Sequence, residues 1–269
     1  MKSKFNISII GTGNVASYLS TTFEKSGHTI CEVAGRNFTK AKSICGKLYT
    51  AEPIAGFDLS SSRAEIFILA VSDDALPIVA QELVVPFEKA IVAHTSGSQP
   101  ISILEYIPSS TGVFYPLQSF TTGQFPEASK IPFCIEGSDD ISLSKLQSLA
   151  ESISEAVYEV NSEERKLLHL SAVFASNFTN YMIHCAEILL DQADINYKIL
   201  EPLVQETVRK AFALGTEKAQ TGPAVRKDLG ILEKHKNALS SNPRFSKIYE
   251  LVSNEIIETI ATKRNVQGN

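Results

Sequence analysis

Residues 5 to 16 read FNISIIGTGNVA, and this stretch decides the fold. Phe5, Ile7, Ile9 and Ile10 form a short apolar run suited to a buried strand, and Gly11 follows without a spacer. Gly11 permits a tight strand-to-helix bend, Gly13 leaves room for a pyrophosphate, and Ala16 lets the next helix lie close to the strand. That helix turns its free backbone N–H groups and positive dipole end toward phosphate. Val15, Leu19 and Phe23 recur every four residues as one helix face, Gly27 and His28 stop the helix, and Thr29 to Ala34 reads as a second strand. A β-α-β unit of about 30 residues is the context a dinucleotide fingerprint requires, and it sets Gly11, Thr12, Gly13, Asn14 and Val15 against the cofactor.

The second strand ends in Gly35, Arg36 and Asn37. An NAD-specific site usually has an acidic residue here for the ribose hydroxyls, whereas a basic one pairs with a 2′-phosphate, so Arg36 and Asn37 favour NADP over NAD. The competing reading is a solvated arginine in a turn. Glu32 lies mid-strand, too early to reach the ribose.

Glu65 to Val71 is a nearly continuous apolar run, typical of a strand covered on both faces, and it predicts a parallel sheet. Val71 and Ser72 at its carboxyl end adjoin the cofactor. Ser72, Asp73 and Asp74 are helix-cap candidates with Pro77 in the first turn, and the aspartates read more readily as caps than as catalysts. Ala90 to Ala93 is the next buried strand and runs into His94, Thr95, Ser96, Gly97 and Ser98. Ligands of open α/β sheets sit beyond the carboxyl ends of the strands, so this cluster faces substrate or nicotinamide, with Thr95 on the cofactor side. Ser96 and Ser98 alternatively cap a helix beginning near Ile101. A strand from Gly112 ends in Tyr115 and Pro116, where Tyr115 is a proton donor or a packed aromatic. Ile131 to Glu136, a helix over Leu143 to Ile153, and Ala156 to Val160 complete the sheet.

From Ser162 the period becomes helical. The organisation expected is therefore residues 1–160 as an NAD(P)-binding domain and 161–269 as an all-helical domain. The helix from Glu163 to Leu190 carries apolar groups nearly all round, which predicts that it is buried against a second copy in a homodimer. Another helix runs from Asp194 through Phe212 to Gly215, a loop spans Gln220 to Arg226, and two further helices lie near Asp228 to Leu239 and Pro243 to Thr262.

Composition narrows the partners. Hydrophobic residues at 43% and charged residues at 20% describe a globular protein, and a net charge of −5 gives no attraction to nucleic acid or an anionic membrane. No stretch reaches the ~20 apolar residues of a membrane span, and the start MKSK lacks a leader's apolar region, so a cytoplasmic location is expected. Cys31, Cys45, Cys134 and Cys185 lie apart without a CxxC pair, as reduced thiols do, and no metal site is expected.

With GTGNVA at 11–16, AGRN at 34–37, AVSDDAL at 70–76, HTSGS at 94–98, FYPLQSF at 114–120, HLSAVFASNFTN at 169–180 and QTGPAVRKD at 220–228, the chain resembles a known family. This is the family of two-domain NADP-dependent oxidoreductases in which a Rossmann-like domain precedes a helical domain of unknown function. It is distantly related to pyrroline-5-carboxylate reductase, deazaflavin-dependent NADP reductase and 6-phosphogluconate or 3-hydroxyisobutyrate dehydrogenase. The resemblance implies a doubly wound parallel α/β sheet, a C-terminal domain of the 6-phosphogluconate dehydrogenase type, dimerisation through the helices and a substrate cleft between domains. The catalytic lysine that hydroxyisobutyrate-type relatives place just before an asparagine is missing around Asn177, where Val173 to Ser176 stand.

His169 and Asn177 fall roughly on one helix face. His169 or His94 is the candidate general acid, Ser96 a nearby polar group, and Asn177 a holder of the carbonyl oxygen; Gln220, Thr221 and Arg226 supply further contacts. His169 is alternatively a core histidine bonded to a carbonyl. The function expected is hydride transfer between NADP(H) and a small carbonyl, imine or hydroxy compound, the alternative being a non-catalytic NADP-binding sensor or scaffold.

Overall fold

The computed structural model describes residues 4–86, 90–121, 123 and 125–267, with side chains described to 259; of the stretch read for a leader, Met1 to Ser3 lie outside the described residues. The chain divides into two compact units, Met1–Phe178 and Thr179–Asn269.

The first unit is built on β1 (Asn6–Ile10), α1 (Asn14–Lys25), β2 (Thr29–Gly35), α2 (Phe38–Cys45), β3 (Glu52–Ala55), β4 (Ile66–Leu69), α3 (Leu76–Glu82), β5 (Ile91–His94), β6 (Ser110–Pro116), β7 (Phe133–Gly137), α4 (Asp140–Ile153), β8 (Val157–Glu159) and α5 (Ser162–Ala172). Its sheet runs in the order β3-β2-β1-β4-β5-β6-β7-β8. The first six strands carry the 3-2-1-4-5-6 order of dinucleotide-binding sheets, and the chain reverses direction across the sheet between β1 and β4. β1, β4 and β5 are buried on both faces because helices cover both, which is why they read as unbroken apolar runs. One apolar layer centres on Ile7, Ile9, Leu19, Phe23, Phe114 and Leu146, the other on Ile10, Phe67, Val79 and Val92. Glu32 is held mid-strand by the hydroxyls of Ser8 and Ser62.

Three expectations change and one strand is new. β3, a short edge strand containing Pro53, had no alternating pattern to reveal it. β7 runs antiparallel to β6, because among its described residues the connection from Leu117 to Pro132 has one 3-10 turn and no crossover helix; α4 then restores a parallel β7–β8 pair. The helix expected near Ile101 is a single 3-10 turn, Ile101–Leu104. No side chain caps α3, whose N-cap is Ala75, so Asp73 and Asp74 are not its caps.

The long helix expected from Glu163 to Leu190 is interrupted. After α5 a π-helical turn, Val173–Phe178, closes the first unit, and α6 (Thr179–Asp191) opens the second. A 3-10 turn at Tyr197–Leu200, α7 (Glu201–Leu214), α8 (Thr216–Ala219), α9 (Pro223–Arg226), α10 (Leu229–Ala238) and α11 (Pro243–Gln267) follow. Gly215 ends α7 at φ +85°, as its sequence position predicts. In the single chain Leu167, Leu170, Phe174 and Phe178 are exposed, so the chain itself does not cover the apolar face expected to pack against a second copy. Among the described side chains of the second unit only Ala224, Leu232 and Phe245 are buried hydrophobics.

Candidate active site

The glycine turn works by close approach. Gly11 has φ +130°, its N–H donates to Ala34 O at 2.8 Å, and a Cβ there would lie 2.1 Å from Ala70 O. β1, β2 and β4 thus converge on a position that only glycine fills. Gly13 has the opposite reason: a Cβ would meet nothing within 4 Å, because the residue faces open space. It is the N-cap of α1, with no side-chain cap and no acidic residue in the first turn, so the helix N-terminus is bare and suited to an anion.

Around this turn lies a cavity of about 270 Å³ at the carboxyl ends of β1, β2 and β4, where the sheet order reverses. Gly11, Thr12, Gly13, Arg36, Asn37, Val71 and Ser72 all line it, so seven of the expected cofactor residues come together. Asn37 also caps α2 by accepting from Lys40 N. Asn14 donates to Phe120 O at 3.0 Å, Val15 packs on the core, and Thr95 is bonded to Leu69 O; these three are not among the residues that line the cavity. A glycine cradle, a bare helix N-terminus and an exposed arginine fit a phosphorylated dinucleotide.

Beyond β5 and β6 stands a polar cluster. Tyr115 Oη and His169 Nδ1 are 3.1 Å apart, with Tyr115 from β6 and His169 from the last turn of α5. Gly97 lies beneath them: a Cβ there would be 2.6 Å from His169 Nδ1 and 2.7 Å from Tyr115 Cζ. Burial pushes the Tyr115 hydroxyl up to about 12, with the charges of Cys134 and Asp73 adding to it, so it keeps its proton at neutral pH. Depending on the imidazole tautomer, either the hydroxyl donates to Nδ1 or Nδ1–H donates to the hydroxyl oxygen.

The other candidates behave differently. His94 has no exposed surface, its Nδ1 accepts from Ser96 N, and burial, aided by the nearby Arg165 charge, pulls it down to about 4. At pH 7 His94 is therefore a neutral, enclosed imidazole. Ser96 Oγ accepts from the backbone N–H of Ser98 and Gln99, so its role is the turn, and Ser98 Oγ donates to Asp73. Asn177 is exposed in the π-helical turn and, among the described residues, has no hydrogen bond to His169 or Tyr115. Arg226, at the end of α9, is exposed as well.

The sequence reading missed Gly97 and a buried ion pair, Arg165 with Glu136. No local pattern singles out Arg165, since only the β6–β7 pairing brings Glu136 beneath α5.

A Rossmann-like dinucleotide fold with a following helical unit is the class these features define. The Rossmann-like domain family matches residues 1–118 and the Domain of unknown function (DUF2520) matches residues 131–256. A Bacteroides fragilis protein provisionally named an NADP oxidoreductase is 33% identical over 95% of this chain and 98% of its own, with a TM-score of 0.84. The chain belongs to this family, in which a Rossmann-like domain precedes the domain of unknown function. A Thermotoga maritima protein (20% identity, 96% of this chain and 99% of that one, TM-score 0.69) has the same fold. So has a reductive aminase from Aspergillus terreus in complex with NADPH and ethyl-5-oxohexanoate (14% identity, 97% and 95%, TM-score 0.73). No curated protein sequence matches the chain.

Proposed function

We propose that this chain is an oxidoreductase that uses NADP to interconvert a small carbonyl or imine with its reduced alcohol or amine. The observation that carries the reading is the cavity in which the tight turn at Gly11 and the open space at Gly13 lie beside the bare N-terminus of α1, with Arg36 at its edge and no acidic side chain at the end of β2. The NADP named for the Bacteroides fragilis relative and the NADPH bound by the reductive aminase support the same cofactor.

NADPH, when bound, supplies a hydride. The chain's own part is the proton. Tyr115 holds it at Oη, in position to give it to an oxygen or nitrogen that gains negative charge, and the Nδ1–H tautomer of His169 leaves that proton free while standing 3.1 Å away to return one. The pair takes this role in place of His94, and its partly buried setting strengthens each hydrogen bond it makes.

The test is a screen of NADPH oxidation with carbonyl and imine compounds, run on wild type, Tyr115→Phe and His169→Gln. Turnover should fall about 100-fold to 10,000-fold in both variants with NADPH affinity unchanged. Near-normal turnover removes the pair from the chemistry. Tight NADPH binding without turnover of any compound leaves a sensor, and absence of NADPH binding overturns the cofactor assignment.

The reading includes a homodimer formed through residues 161–269. Phe212 is 89% exposed and Leu203 64%, an apolar surface that the chain alone leaves in water. Light scattering should give about twice the chain mass of 29.4 kDa, and a 29.4 kDa particle at micromolar concentration refutes it.

A further inference from the structure

Arg165 is 1% exposed and is paired with Glu136 on β7. Its second Nη donates to Gln99 O at 2.7 Å and to Ser162 Oγ at 3.2 Å. Ser162 at the start of α5 donates to Glu136, and its oxygen accepts from Ile101 N at 3.0 Å. Strand register puts His94, Val113 and Glu136 in one row on one face of the sheet, so the guanidinium ties α5 to both the row and the turn that leads away from it. His169 lies four residues further on, one turn along the same side of α5.

A buried ion pair is weak evidence for net stability, since apolar pairs of similar volume often replace it without loss. Arg165 has acceptors on two segments outside α5, namely Glu136 on β7 and the Gln99 carbonyl in the turn after β5, and a shift of α5 along or about its axis strains both bonds at once. The same shift would carry His169 off Tyr115, since Gly97 leaves no slack beneath the two rings.

We propose that Arg165 is a positioning residue: its fork onto Glu136 and the Gln99 carbonyl sets α5 so that His169 meets the Tyr115 hydroxyl above Gly97. The consequence for turnover rests on the proton role given to that pair, whereas the placement of His169 does not.

The experiment follows the imidazole resonances of His169 by NMR in the full-length protein, assigned by their loss in His169→Gln, with Tyr115→Phe as the reference for a broken contact. In the double variant Arg165→Met, Glu136→Met, which removes both charges, the His169 resonances should move by more than half of the displacement seen in Tyr115→Phe, with the circular dichroism spectrum unchanged. Arg165→Lys keeps a charge for Glu136 but reaches fewer acceptors, and should move them by a smaller amount in the same direction. Resonances that stay at their wild-type positions in either folded variant overturn the proposal. Loss of the fold in both variants also overturns it, by assigning Arg165 to stability. Titration of NADPH beside these spectra separates the two questions, because failure of wild type to bind NADPH refutes the proposed function and leaves the His169 measurement standing.

Discussion

The two glycines of the turn should respond to substitution in opposite ways. Gly11→Ala forces an L side chain into φ +130° and drives its Cβ to 2.1 Å from Ala70 O. Backbone strain and overpacking together cost about 2–6 kcal/mol, enough to lower the melting temperature with or without ligand. Gly13→Val adds a side chain where the protein has nothing within 4 Å, at an ordinary φ of −85°, so the ligand-free protein should lose only a cap preference of about 1 kcal/mol. NADPH at a hundred times its Kd stabilises wild type by about 2.7 kcal/mol, which for a unit of 178 residues is a rise of about 5–11 °C. Gly13→Val should abolish that rise, because the new side chain occupies the approach to the helix N-terminus. Thermal unfolding with and without NADPH reads both quantities. A Gly13→Val protein that keeps the full ligand-induced shift would refute the reasoning, as would one as unstable as Gly11→Ala.

Arg36→Ala should lower the ratio of NADPH to NADH affinity by about one to two decades, the value of a charge-assisted bond to phosphate; an unchanged ratio in fluorescence titrations removes Arg36 from the site. Gly97→Ala places a Cβ 2.6 Å from His169 Nδ1, so it should cost about 1–3 kcal/mol and reduce turnover while sparing NADPH binding, and normal rates at normal stability would contradict the packing. His94 is held at about 4 when folded against 6.5 when unfolded, so the unfolded chain takes the proton first. Its stabilisation is complete above pH 6.5 and is lost as pH falls from 6.5 toward 4, on the order of 3 kcal/mol. Urea unfolding at pH 7, 5.5 and 4 should show a shallower loss in His94→Gln, and identical losses would assign the acid sensitivity elsewhere.

The sequence by itself determined the inner parallel strands β1, β4 and β5 and the ligand turn, since each rests on local rules. Unbroken apolar runs of strand length mark strands covered on both faces, and a glycine that must take φ +130° is visible as a glycine. Arg36 was legible for the same reason, because its meaning depends on its place after β2 and on no distant partner.

What the tertiary structure alone decided is which polar groups meet. His94 and Tyr115 each follow a buried strand and look alike in the sequence, yet one is enclosed with no exposed surface and the other reaches a histidine more than fifty residues away. Burial is set by everything that packs on a residue, and no local pattern carries it. The reversal of β7 has the same origin: a connection with no crossover helix among its described residues turns the strand back, and that one reversal sets Glu136 beside Val113 and under Arg165. The apolar helices sit between these cases. Their periodicity was plain, but whether their faces are covered depends on what packs against them, and within one chain Leu167, Phe174 and Phe212 are left exposed.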